Sequence, residues 1–200
     1  MPVGTTITQT HLAVNAAELA GSTNARIRVQ ATDGVNTSRD ESDAAFTVGR
    51  KAPQAFITSP EADSATLAST PVWLEGYAYD LEDGALSDAA LNWSSSRDGE
   101  LGTGAELLTA LSLGQHTLTF TAIDGDANTA TATVEVLATF AEDVVPDCQA
   151  DIFDIQAIAS RWQQRVGDSG WDSRFDLDGD GTITVADIMH VAAAWGTICG

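Results

Sequence analysis

Residues 176–187 read DLDGDGTITVAD. Oxygen-bearing side chains stand at Asp176, Asp178, Asp180, Thr182 and Thr184, every second position, and Gly181 follows the third of them. Asp187 closes the stretch, and the amphipathic run IMHVAAAW begins at once. Alternation lets successive side chains converge on one point. Carboxylates gathered in this way repel one another unless a cation neutralises them.

The spacing fits a twelve-residue calcium loop of the EF-hand type, with ligands at positions 1, 3, 5, 7, 9 and 12 and glycine at 6 for the sharp turn. Calcium takes about six to eight oxygens, and here every slot is filled. Asp176, Asp178 and Asp180 take positions 1, 3 and 5. Thr182 offers its backbone carbonyl at 7, Thr184 stands at 9 and Asp187 closes at 12. Aspartate in place of glutamate at the last position shortens its reach. The alternative is an acidic turn that only caps the helix, with Asp187 favouring the positive end of its dipole.

The helical run is itself half of a repeat. DIFDIQAIASRW (151–162) lies over TVADIMHVAAAW (184–195), so that Asp154 meets Asp187, Ile155 meets Ile188, Ile158 meets Val191, Ala159 meets Ala192 and Trp162 meets Trp195. Apolar residues recur at the spacing of one helix face. No amphipathic helix precedes the acidic loop, because VGDSGWDSRF (166–175) is broken by Gly and Asp. One helix per loop, repeated twice, resembles a dockerin domain over about residues 143–199. The resemblance implies an all-α, calcium-dependent module that docks onto a cohesin-type protein partner. Its calcium ligands would be Asp176, Asp178, Asp180, Thr182, Thr184 and Asp187.

The first copy departs from the pattern. Counting back from Asp154 places Asp143 at 1, Val145 at 3, Asp147 at 5, Cys148 at 6, Gln149 at 7 and Asp151 at 9. Valine offers no side-chain oxygen, and cysteine makes the glycine turn only at a cost. A second, weak or empty metal site is expected here, with Asp143, Asp147, Gln149, Asp151 and Asp154 as its residues. Cys148 and Cys199 bracket the module, whose twofold repeat would bring its ends together. Bridged, they would contribute about 4 kcal/mol at most by chain entropy and point to an oxidising compartment. Two free, buried thiols are the alternative.

Dockerins of the cellulosome type carry polar recognition residues at loop positions 10 and 11. Here these positions are Ile152 and Phe153, then Val185 and Ala186, all apolar. The partner surface is therefore expected to meet a different cohesin class or the chain's own β-sandwich. Trp162 and Trp195, related by the repeat, are read as a core pair.

The remainder of the chain reads as β-structure. QAFITSP, VWLEGYAYD, LNWSSS, GQHTLTFTAID and TATATVEVLA are strands separated by Gly, Asp and Ser turns, and Trp93 is expected to plug the core. The segment 71–126 is similar to PKD-like and bacterial Ig-like repeats, which implies a spacer or adhesion role without chemistry. RIRVQATDGVNT (26–37) repeats in TLTFTAIDGDANT (117–129), with Asp33 matching Asp124. Residues 1–50 accordingly read as a partial Ig-like or fibronectin-like β-domain with strands in HLAVNA, ARIRVQATD and AAFTV. Residues 52–139 form one complete sandwich, and 143–200 the dockerin-like domain. GRKAP (49–53) and ATFAEDVVP (138–146) are linkers. Asp80, Glu82, Asp83, Asp98, Asp124 and Asp126 lie in turns at strand ends, where a cadherin-like calcium site or plain turn chemistry accounts for them.

The chain carries a formal net charge of −20, with one lysine, Lys51, against 29 acids. That balance argues against nucleic acid and anionic membrane surfaces. No apolar run reaches the length of a membrane span. MPVGTTITQT has neither a basic nor an apolar signal region. An extracellular or cell-surface protein is expected, read here as a piece whose leader lies upstream. His11, His116 and His190 are scattered, His116 being taken as a turn-proximal polar residue, and no HExxH, GxSxG or phosphate-binding glycine loop occurs. The chain is thus read as the non-catalytic, calcium-binding end of a secreted multidomain protein, similar to the tails of polysaccharide-degrading or proteolytic enzymes. The alternatives are a cell-surface stalk with a calcium-stabilised cap, and a piece of a hydrolase whose catalytic domain lies upstream.

Overall fold

The computed structural model of the chain describes residues 13–200. His11 and the first residues of HLAVNA lie outside the described residues. Among the described residues the chain is mostly β-sheet with two short helices.

Strands β1 (Ser22–Ala25) and β4 (Phe46–Val48) pair with each other, as do β2 (Arg28–Thr32) and β3 (Thr37–Glu41). All ten residues of β2 and β3 are exposed, so this ribbon has no sheet packed on it. Its Asp33 turn copies the Asp124 turn. Asp33 Oδ1 accepts from the backbone of Val35 and Asn36, and Asp124 Oδ1 from that of Asp126 and Asn128. Residues 13–15 are irregular and Ala16–Glu18 is a 3-10 turn, so the strand expected across 11–16 does not form in its described part.

Nine strands follow: β5 (Gln54–Ser59), β6 (Ser64–Leu67), β7 (Pro71–Asp80), β8 (Gly84–Ala85), β9 (Leu91–Ser95), β10 (Gly99–Thr103), β11 (Glu106–Ala110), β12 (Gly114–Ile123) and β13 (Thr129–Thr139). One sheet runs β10-β9-β12-β13-β6, the other β11-β7-β5 with β8 paired to β7. Period-two alternation explains the core between them. Leu74 and Ala78 point in from β7, meeting Leu118, Phe120 and Ala122 of β12 and Val134, Val136 and Ala138 of β13. Trp93, fully buried as expected, packs on Phe120 with ring centroids 4.6 Å apart, and its Nε1 donates to the carbonyl of Gly104. Gly76 is required where it stands, since a Cβ would lie 2.9 Å from the Phe56 carbonyl oxygen and 3.0 Å from the Phe120 ring.

His116 lies beside the turn before β12, as expected, but is fully buried. It sits in phase with Leu118 and Phe120, two and four residues on, so it points inward. Its Nε2 donates at 2.7 Å to the Ser112 carbonyl, which can only accept, and its Nδ1 lies 2.7 Å from the Ser95 hydroxyl.

The C-terminal part holds helices α1 (Ile152–Ala159) and α2 (Val185–Ala193). Each opens on a capping box: Asp151 with Asp154, and Thr184 with Asp187. Val144, Ile158, Phe175, Ile183 and Val191 are buried together. Both helices end before the repeat does, and Trp162 and Trp195 beyond them are about half exposed instead of forming a core pair. Cys148 and Cys199 are disulfide-bonded, and the neighbouring backbone bridge Gln149–Ile198 draws the two ends of the unit together. β13 continues to Thr139, into the stretch expected as linker. No helix among the described residues is long and apolar enough to cross a membrane.

Candidate metal centre

In the second loop, Asp187 is fully buried and acts as the hub. Its Oδ1 accepts from the backbone N–H of Leu177 and Asp178, and its Oδ2 from that of Thr184. Asp176 Oδ2 accepts from Gly181, whose φ of +85° is the left-handed turn that glycine supplies. Asp178 Oδ1 accepts from Asp180, and Asp180 Oδ1 from Thr182. These bonds wind the loop so that carboxylate oxygens of Asp176, Asp178 and Asp187 lie within 4.8 Å of one another. Asp180 is outside that group, and the Thr184 hydroxyl is engaged as the cap of α2, accepting from Ala186.

Asp176 Oδ1 is buried and has no hydrogen-bond partner. A buried carboxylate oxygen left in this state costs free energy unless a donor or cation meets it. The oxygens around it are hard carboxylate donors, the type that calcium takes.

The first loop repeats the scaffold at an offset of 33 residues but closes it differently. Asp154, also buried, accepts from Val145 on Oδ1 and from Asp151 on Oδ2. Gln149 donates to Asp147 as Thr182 does to Asp180. Asp143 stands where Asp176 stands, yet both its oxygens are satisfied. Oδ1 accepts from Asp147, while Oδ2 accepts from Cys148 and from the Thr139 hydroxyl at the end of β13. Burial pushes the Asp143 carboxyl above its ordinary range, with the nearby Asp154 charge adding to this. The Thr139 hydroxyl and the two backbone donors oppose it. Asp143 also lies against Cys148 and Cys199, but their sulfurs are bonded to each other and offer no thiolate. Asp143, Asp147, Gln149, Asp151 and Asp154 are thus occupied as a hydrogen-bonded loop. The Thr139 hydroxyl belongs to the preceding domain, and nothing in the loop's own pattern announces it.

The apolar residues at loop positions 10 and 11 begin the two helices. Ile152, Phe153 and Val185 are exposed, and Ala186 is half-buried.

The acidic residues of the sandwich separate into two places. Asp98 lies by His116, with Oδ2 3.7 Å from Nδ1 and accepting from the backbone of Ser112. Asp83, Asp124 and Asp126 lie together elsewhere, and Arg50 answers them by pairing with Asp83 at 3.2 Å and with Asp126. Glu82 accepts from the backbone of Gly21 and Lys51, tying the first strands to the sandwich. Asp80 is buried and turns Oδ1 to the backbone of Glu82 and Asp83, leaves Oδ2 without a partner, and stands outside that trio. The contacts these residues make are turns, a tie and ion pairs. The chain matches no protein-family model and no curated protein.

Proposed function

We propose that residues 143–200 are a single-calcium docking module carried on β-sandwich spacers, a non-catalytic part of a protein that works outside the cell. The observation that carries this reading is the contrast between two matching aspartates. Asp143 has every oxygen satisfied by protein donors, whereas Asp176 keeps one buried oxygen free beside the carboxylates of Asp178 and Asp187.

Calcium, Ca2+, is the cation that this oxygen set suits, and the disulfide agrees with an oxidising environment in which that ion is plentiful. Asp176, Asp178 and Asp187 would hold it, with Asp180 and the Thr182 carbonyl completing the loop. The ion would supply positive charge where carboxylates otherwise repel. Asp187 does the remaining work: its carboxylate accepts from the backbone N–H groups of Leu177 and Thr184 and locks the loop onto the first turn of α2, so ordering the loop orders the helix. Ile152, Phe153 and Val185 then stand on two repeat-related helix starts as the exposed apolar contact for a cohesin-like partner.

Calorimetric titration of the full chain with calcium tests this. Uptake of about one ion per chain at or below millimolar concentration is expected, in the range of extracellular calcium modules. Asp176→Asn should abolish the heat and Asp143→Asn should leave it. No heat at millimolar calcium, or equal loss in both variants, overturns the reading.

A further inference from the structure

The two outer faces of the sandwich differ in kind. The five-stranded sheet turns Thr117, Thr119, Thr121, Thr131 and Thr133 outward, the ordinary solvated face of an antiparallel sheet. The outward positions of β7 are instead Trp73, Glu75, Tyr77 and Tyr79, with the three aromatic rings 47%, 53% and 52% exposed. Neighbouring strands extend this face. Phe56 of β5 stacks on Tyr77 with centroids 5.0 Å apart, and Leu108 of β11, 58% exposed, pairs with Trp73. Contiguous exposed apolar surface of this kind marks an interaction site.

The charge on the face selects its occupant. Glu75 and Glu106 are direct cross-strand partners and both are exposed. Like charges set opposite each other destabilise a sheet, and no Lys or Arg lies in β5, β7, β8 or β11. A second copy of this chain brings no cation on that face and is repelled by its own net charge of −20. A neutral glycan would desolvate the glutamate pair without neutralising it. An arginine- or lysine-bearing protein segment satisfies both features. Its cation stacks on Trp73 or Tyr77, and its donors reach the two carboxylates, bidentately if it is arginine.

We infer that the outer face of β5, β7 and β11 is a docking surface for a basic protein segment, centred on Trp73, Tyr77, Glu75 and Glu106. It lies apart from the calcium loop and does not depend on it.

An oligo-arginine peptide titrated against the full chain tests this by fluorescence anisotropy. Trp73→Ser with Tyr77→Ser leaves the charge unchanged and should weaken binding about tenfold. Glu75→Gln with Glu106→Gln should do the same. Asp40→Asn with Glu61→Gln removes equal charge elsewhere and should leave affinity close to that of the parent. Trp73→Phe with Tyr77→Phe keeps the rings and should retain binding, separating loss of the face from misfolding. The inference is overturned if the serine pair binds as tightly as the parent, or if the Asp40/Glu61 pair loses as much as the Glu75/Glu106 pair. It is equally overturned if the face binds cellohexaose in preference to the peptide.

Discussion

Cys148 occupies in the first loop the place that Gly181 occupies in the second, and both take left-handed backbone, with φ of +68° and +85°. Each donates its N–H to the aspartate that opens its own loop, Asp143 and Asp176. The turn survives the loss of glycine because the side chain that replaces it is bonded to Cys199, 51 residues on.

That pairing predicts how its removal divides into two effects. Cross-linking a loop of this length accounts for about 4 kcal/mol of chain entropy. The left-handed residue adds about 1–2 kcal/mol of steric cost when it is not glycine. Denaturant unfolding of the C-terminal unit should therefore show Cys148→Ala/Cys199→Ala to be less stable than Cys148→Gly/Cys199→Ala by about 1 kcal/mol. Both should fall below the oxidised parent. Equal stability of the two double variants would mean that the turn is not strained.

Asp187 and Asp154 predict a second separation, between holding the fold and holding an ion. Both are buried and both accept backbone N–H groups from either end of their loop. Asp187→Ala and Asp154→Ala each strand those donors, at about 1–3 kcal/mol per buried group, and metal-free melts should drop for both. Only Asp187→Ala should also erase the melting shift that calcium gives the parent.

The loop-and-helix register was legible because carboxylates at every second residue and apolar residues at helical spacing are local signals, and the 33-residue repeat doubles them. The strands around Trp93 were legible for the same reason. β6, β10 and β11 were not: SATL, GELGT and ELLTA lack a run of β-branched residues and lie at sheet edges, where one side needs no apolar cover. His116 misleads because a polar residue carries no inward signal by itself. Its phase with Leu118 and Phe120 was the available clue. Trp162 and Trp195 mislead in the opposite sense, since the helices stop at Ala159 and Ala193 and the repeat continues past the packed face.

Asp98 predicts a pH dependence for the sandwich. Burial pushes its carboxyl upward, but the Ser112 hydroxyl and N–H and the charges of His116 and Arg97 outweigh this and hold it below its ordinary value. A carboxyl lowered in the folded state binds fewer protons there than in the unfolded chain. Its contribution is therefore present above the ordinary carboxylate range and lost as pH falls through the lower, folded value. Thermal melts across this acid range should show the sandwich weakening, and Asp98→Asn should flatten that part of the profile. A variant profile parallel to the parent's would remove Asp98 from the account.

Thr139 gives the sharpest test of the proposal that the first loop holds no ion. Its hydroxyl donates to Asp143 from the last residue of β13, and both residues are buried, at 4% and 3% exposure. Thr139→Val keeps the strand's shape and removes the donor, leaving Asp143 with only its backbone partners. The loss should be about 1–3 kcal/mol, because a buried carboxylate oxygen is deprived of a partner. Asp143 would keep one backbone donor on each oxygen, Asp147 on Oδ1 and Cys148 on Oδ2, with a lone pair of Oδ2 freed for an ion. Calcium should recover more stability in Thr139→Val than in the parent, and the recovery should vanish in Thr139→Val/Asp143→Asn. A calcium response no larger than the parent's would show that Val145 at position 3, and not the Thr139 hydroxyl, is what keeps the ion out.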